Sequence, residues 1–176
     1  VLVPVLLIVL ILGGPVLVAA VALITVLAAI EVFRLLTGAG YRVALYEAAE
    51  ALLEVAGPAL GGCILLDLRL PGASGLELQE LLAAGRCTTP VVFLTGHGDV
   101  AAGVRAMRRG AVNFLQKPVV ADELLAAVAE ALARVMEDDE PDRFVATMSK
   151  AKRKGRIFVD YLRNGRGATA ISPYST

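Results

Sequence analysis

The sequence has few cysteines, histidines and charged residues, and each shortage excludes a class of protein. Cys63 and Cys87 are the only cysteines and have no CxxC spacing, which excludes a disulfide scaffold. We expect both to be reduced, buried thiols in a cytosolic setting. The one histidine, His97, stands between two glycines and is predicted to be a loop residue, not a metal ligand. Charged residues are only 19% of the 176 residues and hydrophobic residues are 57%, so general disorder is excluded.

Charge is absent from the whole first segment of the chain. Residues 1–30 carry no charged side chain, and Gly13-Gly14-Pro15 interrupts the apolar run. Because about 20 apolar residues are enough to cross a bilayer, residues 1–36 are predicted to be membrane-type helices, as a hairpin or an interrupted span. The alternative is a pair of core helices. The GGP break and the following Glu-x-Phe-Arg resemble the amino-terminal membrane helices of phosphatidate cytidylyltransferases, but nothing like their nucleotide-handling region follows.

From about residue 38 to residue 136, short apolar runs alternate with helical patterns. This alternation predicts an α/β fold with a doubly wound parallel sheet. The predicted strands are Arg42–Tyr46, Cys63–Leu68, Val91–Leu94 and Asn113–Gln116. The predicted helices are Ala48–Val55, Gly75–Ala84, Asp99–Arg109 and Ala121–Met136. Ser74 and Glu77 form a capping-box pattern, and Gly110 is placed to end the third helix.

Three polar residues stand where predicted strands end. Asp67, Thr95 and Lys117 each follow an apolar run, and ligands of doubly wound sheets bind outside the carboxyl ends of the strands. A carboxylate can accept a phosphoryl group, while a hydroxyl and an ammonium can contact the phosphoryl oxygens. The pattern therefore predicts a phosphoryl-transfer site with Asp67 as the acceptor.

The segments LDLRLPGASGLEL, VVFLTGHGDV and GVRAMRRGAVNFLQKP resemble, in order, the receiver domain of bacterial response regulators. LTGHGDV is most similar to the subgroup that controls nitrogen fixation and related sensing. The resemblance implies Asp67 as phospho-acceptor, Thr95 and Lys117 as phosphoryl contacts, and Phe114 as the switch aromatic. It also implies a Lys117-Pro118 bond that is commonly cis, a histidine kinase as partner, and a bacterial protein at the cytoplasmic face of the membrane.

One feature of receivers is missing from the sequence. Their first strand ends in an acidic pair that binds Mg²⁺, whereas Glu31 is the only carboxylate upstream of Tyr41. We therefore expect the first strand to be missing and the Mg²⁺ site at Asp67 to be incomplete, with Glu31 or Asp99 as a candidate for a further carboxylate. Phosphorylation of Asp67 should then be impaired.

The end of the chain has a different character. Glu137–Pro141 is predicted to be an acidic linker, and residues 142–176 a short basic β-hairpin tail that turns at Asn164-Gly165. The tail resembles part of the polymerase domain of bacterial DNA ligase D, which implies Asp160 as one metal ligand of an otherwise absent set. Its basic residues predict weak, salt-dependent binding of nucleic acid or another anion. They are Lys150, Lys152, Arg153, Lys154 and Arg156.

Three functions remain open from the sequence. The first is a degenerate receiver-like domain of a phosphorelay, tethered to a membrane and without enzymatic activity. The second is a nucleic-acid-binding fragment related to the ligase polymerase, or an enzyme of the polymerase or lipid-nucleotide class. The third is a composite or artificial chain without selected function, because three partial resemblances meet near residues 36–40 and 137–141.

Overall fold

Helix α1 (Gly14–Gly38) is the first element of the computed structural model, which describes residues 14–57, 60–70, 74–96 and 100–161. The chain divides into two compact units, Val1–Ala44 and Leu45–Thr176. In the first unit, most of the large apolar side chains of α1 are exposed, and Val18 is 69% exposed, whereas Leu36 is buried. Within the described residues, Val16–Gly38 is the one helix long and apolar enough to cross a bilayer. The apolar run before the GGP break lies outside the described residues.

The second unit alternates helices and strands as the sequence predicts. Its first elements are α2 (Ala49–Val55), β1 (Ile64–Asp67), α3 (Gly75–Ala84) and β2 (Val91–Thr95). They are followed by α4 (Val100–Arg108), β3 (Asn113–Gln116) and α5 (Ala121–Asp139). The predicted start of α4 at Asp99 lies outside the described residues, while Gly110 adopts φ +91° just after this helix. A positive φ is easy for glycine, so Gly110 ends the helix as predicted.

The three strands form a parallel sheet in the order β1-β2-β3. Val91 and Phe93 belong to a core shared with α2, α3 and α4, in which Leu78 is only 1% exposed. Val92 is fully buried, and its side chain points to the opposite face because side chains alternate along a strand. Helix α5 packs against β2 and β3 and buries Leu124 and Val128. Both faces of the sheet are therefore covered, as expected for a doubly wound fold.

The predicted strand Arg42–Tyr46 is wrong, because these residues belong to no helix or strand. Its alternating pattern suits a strand, but a strand also needs a hydrogen-bonded neighbour. In the receiver-like strand order 2-1-3-4-5, the second strand pairs only with the first. No segment among the described residues supplies that first strand. The Arg42–Tyr46 backbone consequently has no sheet to join.

The tail also differs from its prediction. Strands β4 (Phe144–Val145) and β5 (Ile157–Phe158) pair in parallel, with a 3-10 helix at Lys150–Arg153 between them, so they do not form a hairpin. The predicted turn at Asn164-Gly165 lies outside the described residues. Helix α5 continues to Asp139 and takes in the first three residues of the predicted linker. Strand β4 lies against α5, so the parallel pairing of β4 and β5 depends on tertiary packing. A local sequence pattern contains no information about such packing.

The two cysteines are free, as expected, but both are only half-buried. Desolvation by burial raises the pKa of the Cys63 thiol to about 11. The thiolate is the reactive form of cysteine, so Cys63 is an unreactive packing residue near neutral pH.

Candidate functional site

Asp67, Thr95 and Lys117 lie at the carboxyl edge of the sheet. Asp67 is the last residue of β1 and is paired in register with Leu94 of β2. Thr95 ends β2, and Lys117 directly follows the last residue of β3. The Lys117 backbone N–H donates to the Thr95 carbonyl oxygen at 2.8 Å. Parallel pairing therefore brings together three residues that are far apart in the sequence.

The Asp67 carboxylate has a donor on each oxygen. The Lys117 Nζ forms an ion pair and hydrogen bond with Asp67 Oδ2, and the Arg69 backbone N–H donates to Oδ1 at 3.1 Å. The Asp67 side chain is 31% exposed and the Lys117 side chain 36%, so the pair remains open to solvent. Thr95 is buried, at 4% exposure. The arrangement gives an accessible carboxylate with one ammonium beside it.

Phe114 lies on β3 with its ring against helix α4. A β-carbon on Gly103 of α4 would come within 3.2 Å of the Phe114 ring. The absence of that β-carbon lets the ring approach the helix backbone closely. Phe114 remains 37% exposed, and the nearby Lys117-Pro118 peptide bond is cis.

The start of α3 supports the backbone at Asp67. Ser74 and Glu77 form the predicted capping box. The Ser74 backbone N–H donates to Glu77 Oε2 at 2.8 Å, and the Glu77 backbone N–H donates to Ser74 Oγ at 3.2 Å. The hydrogen bond from the Ser74 backbone, followed by that with the Ser74 side chain, lowers the pKa of Glu77. The Gly75 N–H donates to the Leu68 carbonyl oxygen at 2.9 Å. These bonds anchor the end of β1 to the first turn of α3.

The described residues around Asp67 do not make a complete magnesium site. Mg²⁺ requires near-octahedral oxygen ligands, commonly from more than one carboxylate, but the described ranges contain no group of three His, Cys, Asp or Glu side chains that could hold a metal. The described residues also form no metal cluster around Asp160, which is exposed in the tail. Asp99 lies outside the described residues, and Glu31 belongs to the first unit, on α1.

The predicted basic cluster separates into two parts. The Arg153 guanidinium lies 3.6 Å from the centroid of the Phe158 ring, and its Nη2 donates to the Met148 carbonyl oxygen at 2.8 Å. Arg153 therefore helps hold the tail together. The remaining four members are exposed: Lys150, Lys152, Lys154 and Arg156.

Sequence reasoning missed two residues that shape the site. Gly75 permits close packing of α3 on the end of β1, and Gly103 permits the position of the Phe114 ring. The signal for Gly75 was its place directly after the helix-capping Ser74, where a small residue allows close approach. Gly103 gave no signal of its own, because its role depends on a ring in a different element.

Two family models match the chain. The response regulator receiver domain matches residues 26–129, a range that begins inside α1 and ends inside α5. The primase-polymerase domain of LigD matches residues 112–176, so the two ranges overlap at the end of the receiver match. The polymerase match covers the tail, where the sequence predicted such a likeness. The likeness of residues 1–36 to cytidylyltransferase helices stays a prediction.

Similar curated proteins include a nodulation protein and a transcriptional regulatory protein. Nodulation protein W of Bradyrhizobium diazoefficiens is 43% identical over 109 residues, which are 62% of this chain and 48% of that protein. The transcriptional regulatory protein FixJ of the same organism is 41% identical over 98 residues, 56% of this chain and 48% of that protein. The chain thus spans about half the length of the curated relatives that it matches.

Solved structures with the same fold are also response regulators. A structure of FixJ-N has a TM-score of 0.55 and 36% identity, and the match covers 58% of this chain and 82% of that one. The response regulator StyR gives a TM-score of 0.58 and 43% identity, over 63% of this chain and 57% of that one. With the family model, the fold and the gathered residues in agreement, the chain belongs to the response regulator receiver family of two-component signalling.

Proposed function

We propose that this receiver accepts a phosphoryl group only weakly. The acceptor in this proposal is Asp67, and the donor is a histidine kinase or a small phosphodonor. The observation that carries the proposal is the contact of Asp67 with Lys117 in a site where the described residues contain no group of three side chains that could hold a metal ion. The receiver has the acceptor and the ammonium, without the acidic pair that the family resemblance leads one to expect. In this proposal the chain has no enzymatic activity of its own.

The chemistry explains why the site should be slow. An Asp67 carboxylate oxygen forms a bond to phosphorus while the bond from phosphorus to the donor's leaving group breaks. The incoming phosphoryl group and the carboxylate are both negative, and catalysis of such transfers depends on neutralising that charge. In the described site only the Lys117 ammonium does so. Without acidic ligands to bind it, added Mg²⁺ should have little effect.

The remaining site residues receive roles by their positions. Thr95 and Lys117 lie beside Asp67 at the same sheet edge, where a hydroxyl and an ammonium can contact the oxygens of a phosphoryl group on Asp67. Phe114, one strand further, is the aromatic residue that would respond to this change. Its partial exposure gives the ring room to move.

Phosphorylation is tested on the full chain in detergent. The chain is incubated with acetyl phosphate, with and without Mg²⁺, and the gain of one phosphoryl group is followed by intact mass spectrometry. We expect slow gain, equal in both conditions, and none in Asp67→Asn. FixJ from Bradyrhizobium diazoefficiens is the positive control. Rapid gain that requires Mg²⁺ and is lost in Asp67→Asn would overturn the proposal of impaired phosphorylation.

The third reading from the sequence, a composite chain without selected function, makes a different prediction. Such a chain could retain the sheet and the Asp67–Lys117 pair yet show no specific phosphotransfer. Transfer from a histidine kinase to Asp67 at any rate above that of Asp67→Asn supports a signalling role. Complete absence of transfer from every tested kinase and small donor favours the composite reading.

We also propose that α1 anchors the receiver to a membrane, with the receiver at its cytoplasmic face. A helix of 25 residues is about 37 Å long, which exceeds a hydrocarbon core of about 30 Å. Most of its large apolar side chains are exposed among the described residues, including Ile24 at 66%, whereas Leu36 near its end is buried. The test is partition of the full chain into liposomes against a chain that starts at Gly38. Full solubility of the intact chain as a monomer would contradict the anchor.

For the tail, weak binding of a polyanion remains a proposal supported by the four exposed cations. Their contact with phosphates would be electrostatic, so affinity should fall steeply with salt. Fluorescence anisotropy with a labelled single-stranded oligonucleotide between low and physiological salt tests this. Unchanged affinity across that range, or equal binding after Lys150, Lys152 and Lys154 are changed to Gln, would contradict it.

A further inference from the structure

The tail is docked on the last helix. We define residues 142–161 as the strap. Strand β4 of the strap lies against α5, and its Val145 is fully buried while Ala146 is 6% exposed. The Ala146 backbone N–H donates to Glu137 Oε2 on α5 at 3.1 Å. An apolar anchor and a hydrogen bond from the backbone to a carboxylate therefore hold the strap.

The strap has its own internal framework. The Ile157 N–H donates to the Arg143 carbonyl oxygen at 2.7 Å, and the Val159 N–H donates to the Val145 carbonyl oxygen at 3.0 Å. Arg153 adds its contacts with Phe158 and Met148. The strap thus presents β4 to the helix as a preformed extended segment, which lowers the entropy that docking must overcome.

The end of α5 and the basic part of the strap have opposite charges. The last three residues of α5, Glu137–Asp139, are all acidic, whereas residues 143–156 of the strap carry six basic side chains and no acidic one. A cavity of about 610 Å³ remains between the two, lined in part by Arg134, Glu137 and Asp138 of α5 and by Met148 and Tyr161 of the strap. The end of α5 therefore offers an apolar seat, a hydrogen-bond acceptor and negative charge to an extended basic segment.

We propose that the carboxyl-terminal half of α5 is a docking groove for a short extended segment with an apolar anchor and basic neighbours, and that the strap closes this groove in cis. A second copy of the strap, offered in trans, is the partner with this chemistry. It can bind only when the chain's own strap is released. The groove is a protein-interaction surface that is closed in the resting chain.

The groove is separate from the phosphoryl site. Helix α5 begins after Lys117 at the carboxyl edge of the sheet, and its far end approaches the opposite edge. There Arg134 and Asp138 line a second cavity of about 230 Å³ together with Pro90 and Val91 at the start of β2. Opening or closing the groove therefore does not require a change at Asp67. The proposal and the proposed phosphorylation can fail independently.

The test is a competition between cis and trans binding. A fluorescent peptide with the sequence of residues 142–161 is titrated with the full chain in detergent and with its Val145→Asp variant, and anisotropy is measured. Aspartate cannot occupy the apolar seat, so the variant's own strap should be released. A strap that is closed nine-tenths of the time lowers the apparent affinity about tenfold. We therefore expect the peptide to bind Val145→Asp at least about tenfold more tightly than the unchanged chain.

Matched controls isolate the anchor. Ala151→Asp makes the same charge change in the strap at an exposed side chain that lines neither cavity, and should bind the peptide as the unchanged chain does. A peptide with Val145→Ser should bind the Val145→Asp chain weakly, whereas a peptide with Ala151→Ser should bind normally. Equal peptide binding by all three chains, or equal binding of the two altered peptides, would overturn the groove.

Hydrogen exchange gives a second measurement that does not depend on the variant. The Ala146 amide of the unchanged chain should exchange at least about tenfold more slowly than in the free peptide, because it is bonded and docked. Exchange at the free-peptide rate would overturn closure in cis. Protection of the β2 amides in Val145→Asp verifies that this variant keeps its sheet.

Discussion

Gly75 on α3 lies against the backbone of Asp67, so closely that a β-carbon at position 75 would collide with the Asp67 carbonyl oxygen. The same β-carbon would come within 3.0 Å of Phe93 Cε1 and 3.1 Å of Leu68 Cα. Two of these three neighbours are backbone atoms that cannot rotate away. The first turn of α3 is therefore fitted to the end of the strand that carries the Asp67 carboxylate.

Replacing Gly75 by alanine should destabilise the receiver unit and disturb Asp67. Overpacking of this kind costs about 1–3 kcal/mol, and the strand end must shift to relieve the collision. The loss in free energy of unfolding is measured by chemical denaturation of the full chain in detergent. Hydrogen exchange of amides in the second unit reports on the unfolding. Gly61→Ala is the matched control, since a β-carbon there has no neighbour within 4 Å. Equal stability of the two variants would contradict the packing.

Replacing Gly103 by alanine should stabilise the receiver unit, in contrast to Gly75→Ala. Removing a glycine from a helix interior stabilises by about 1 kcal/mol, and the Phe114 ring, being partly exposed, can move outward by the few tenths of an ångström that the new methyl group needs. We expect a net gain of about 0.5 kcal/mol and a displaced ring in the NMR spectrum. In a Phe114→Leu background, the gain in stability from Gly103→Ala should approach the full value of about 1 kcal/mol. Identical gains in both backgrounds would show that the ring does not limit this position.

The capping box should make stability depend on acid pH. The folded state holds the pKa of Glu77 below its ordinary value of 4.5, so the unfolded chain binds a proton first as pH falls. The contribution of Glu77 is complete above that ordinary value and is lost as pH falls through the lower, folded pKa. Denaturation curves from pH 6 to pH 3 should therefore converge for the unchanged chain and Glu77→Gln. A constant difference across the range would contradict the linkage.

Ser74→Ala tests the other half of the box. It removes the side-chain acceptor for the Glu77 N–H, an N-cap that typically contributes about 1 kcal/mol. The Ser74 backbone N–H still donates to Glu77, so the pKa of Glu77 should rise only part of the way to its ordinary value. A carboxyl NMR titration measures this. Ser74→Thr, which keeps a hydroxyl, should leave both quantities nearly unchanged.

The sequence was sufficient to predict where Asp67, Thr95 and Lys117 meet, because the carboxyl ends of parallel strands share one edge. Short apolar runs of four or five residues and the cap at Ser74 are local signals, and the structure places those elements within one residue of their predicted bounds. The Lys117 ion pair adds the one detail that needs coordinates, the choice of Asp67 Oδ2 as partner.

The failures all involve contacts between distant segments. Arg42–Tyr46 has a strand pattern but lacks a neighbouring strand to pair with. The local sequence pattern does not show whether such a strand is present. The two-residue strands β4 and β5 are too short to be recognised by periodicity, and they form where Val145 seats on α5. Gly103 matters only because Phe114 reaches it from another strand. None of these contacts can be predicted from the residues that are adjacent in the sequence.

The order β1-β2-β3 has a consequence for how the site comes into existence during synthesis. Ile64 pairs with Val91, and Val92 pairs with Asn113, so each strand finds its neighbour 27 or 21 positions further along the chain. Such short separations favour rapid, stepwise assembly as the chain emerges, with each strand added to the one before. Asp67 is in place after the first step, but Lys117 arrives only with the third strand. The Asp67 carboxylate therefore gains its ion-pair partner at the final step, and a nascent chain that stops before β3 has this carboxylate without its lysine.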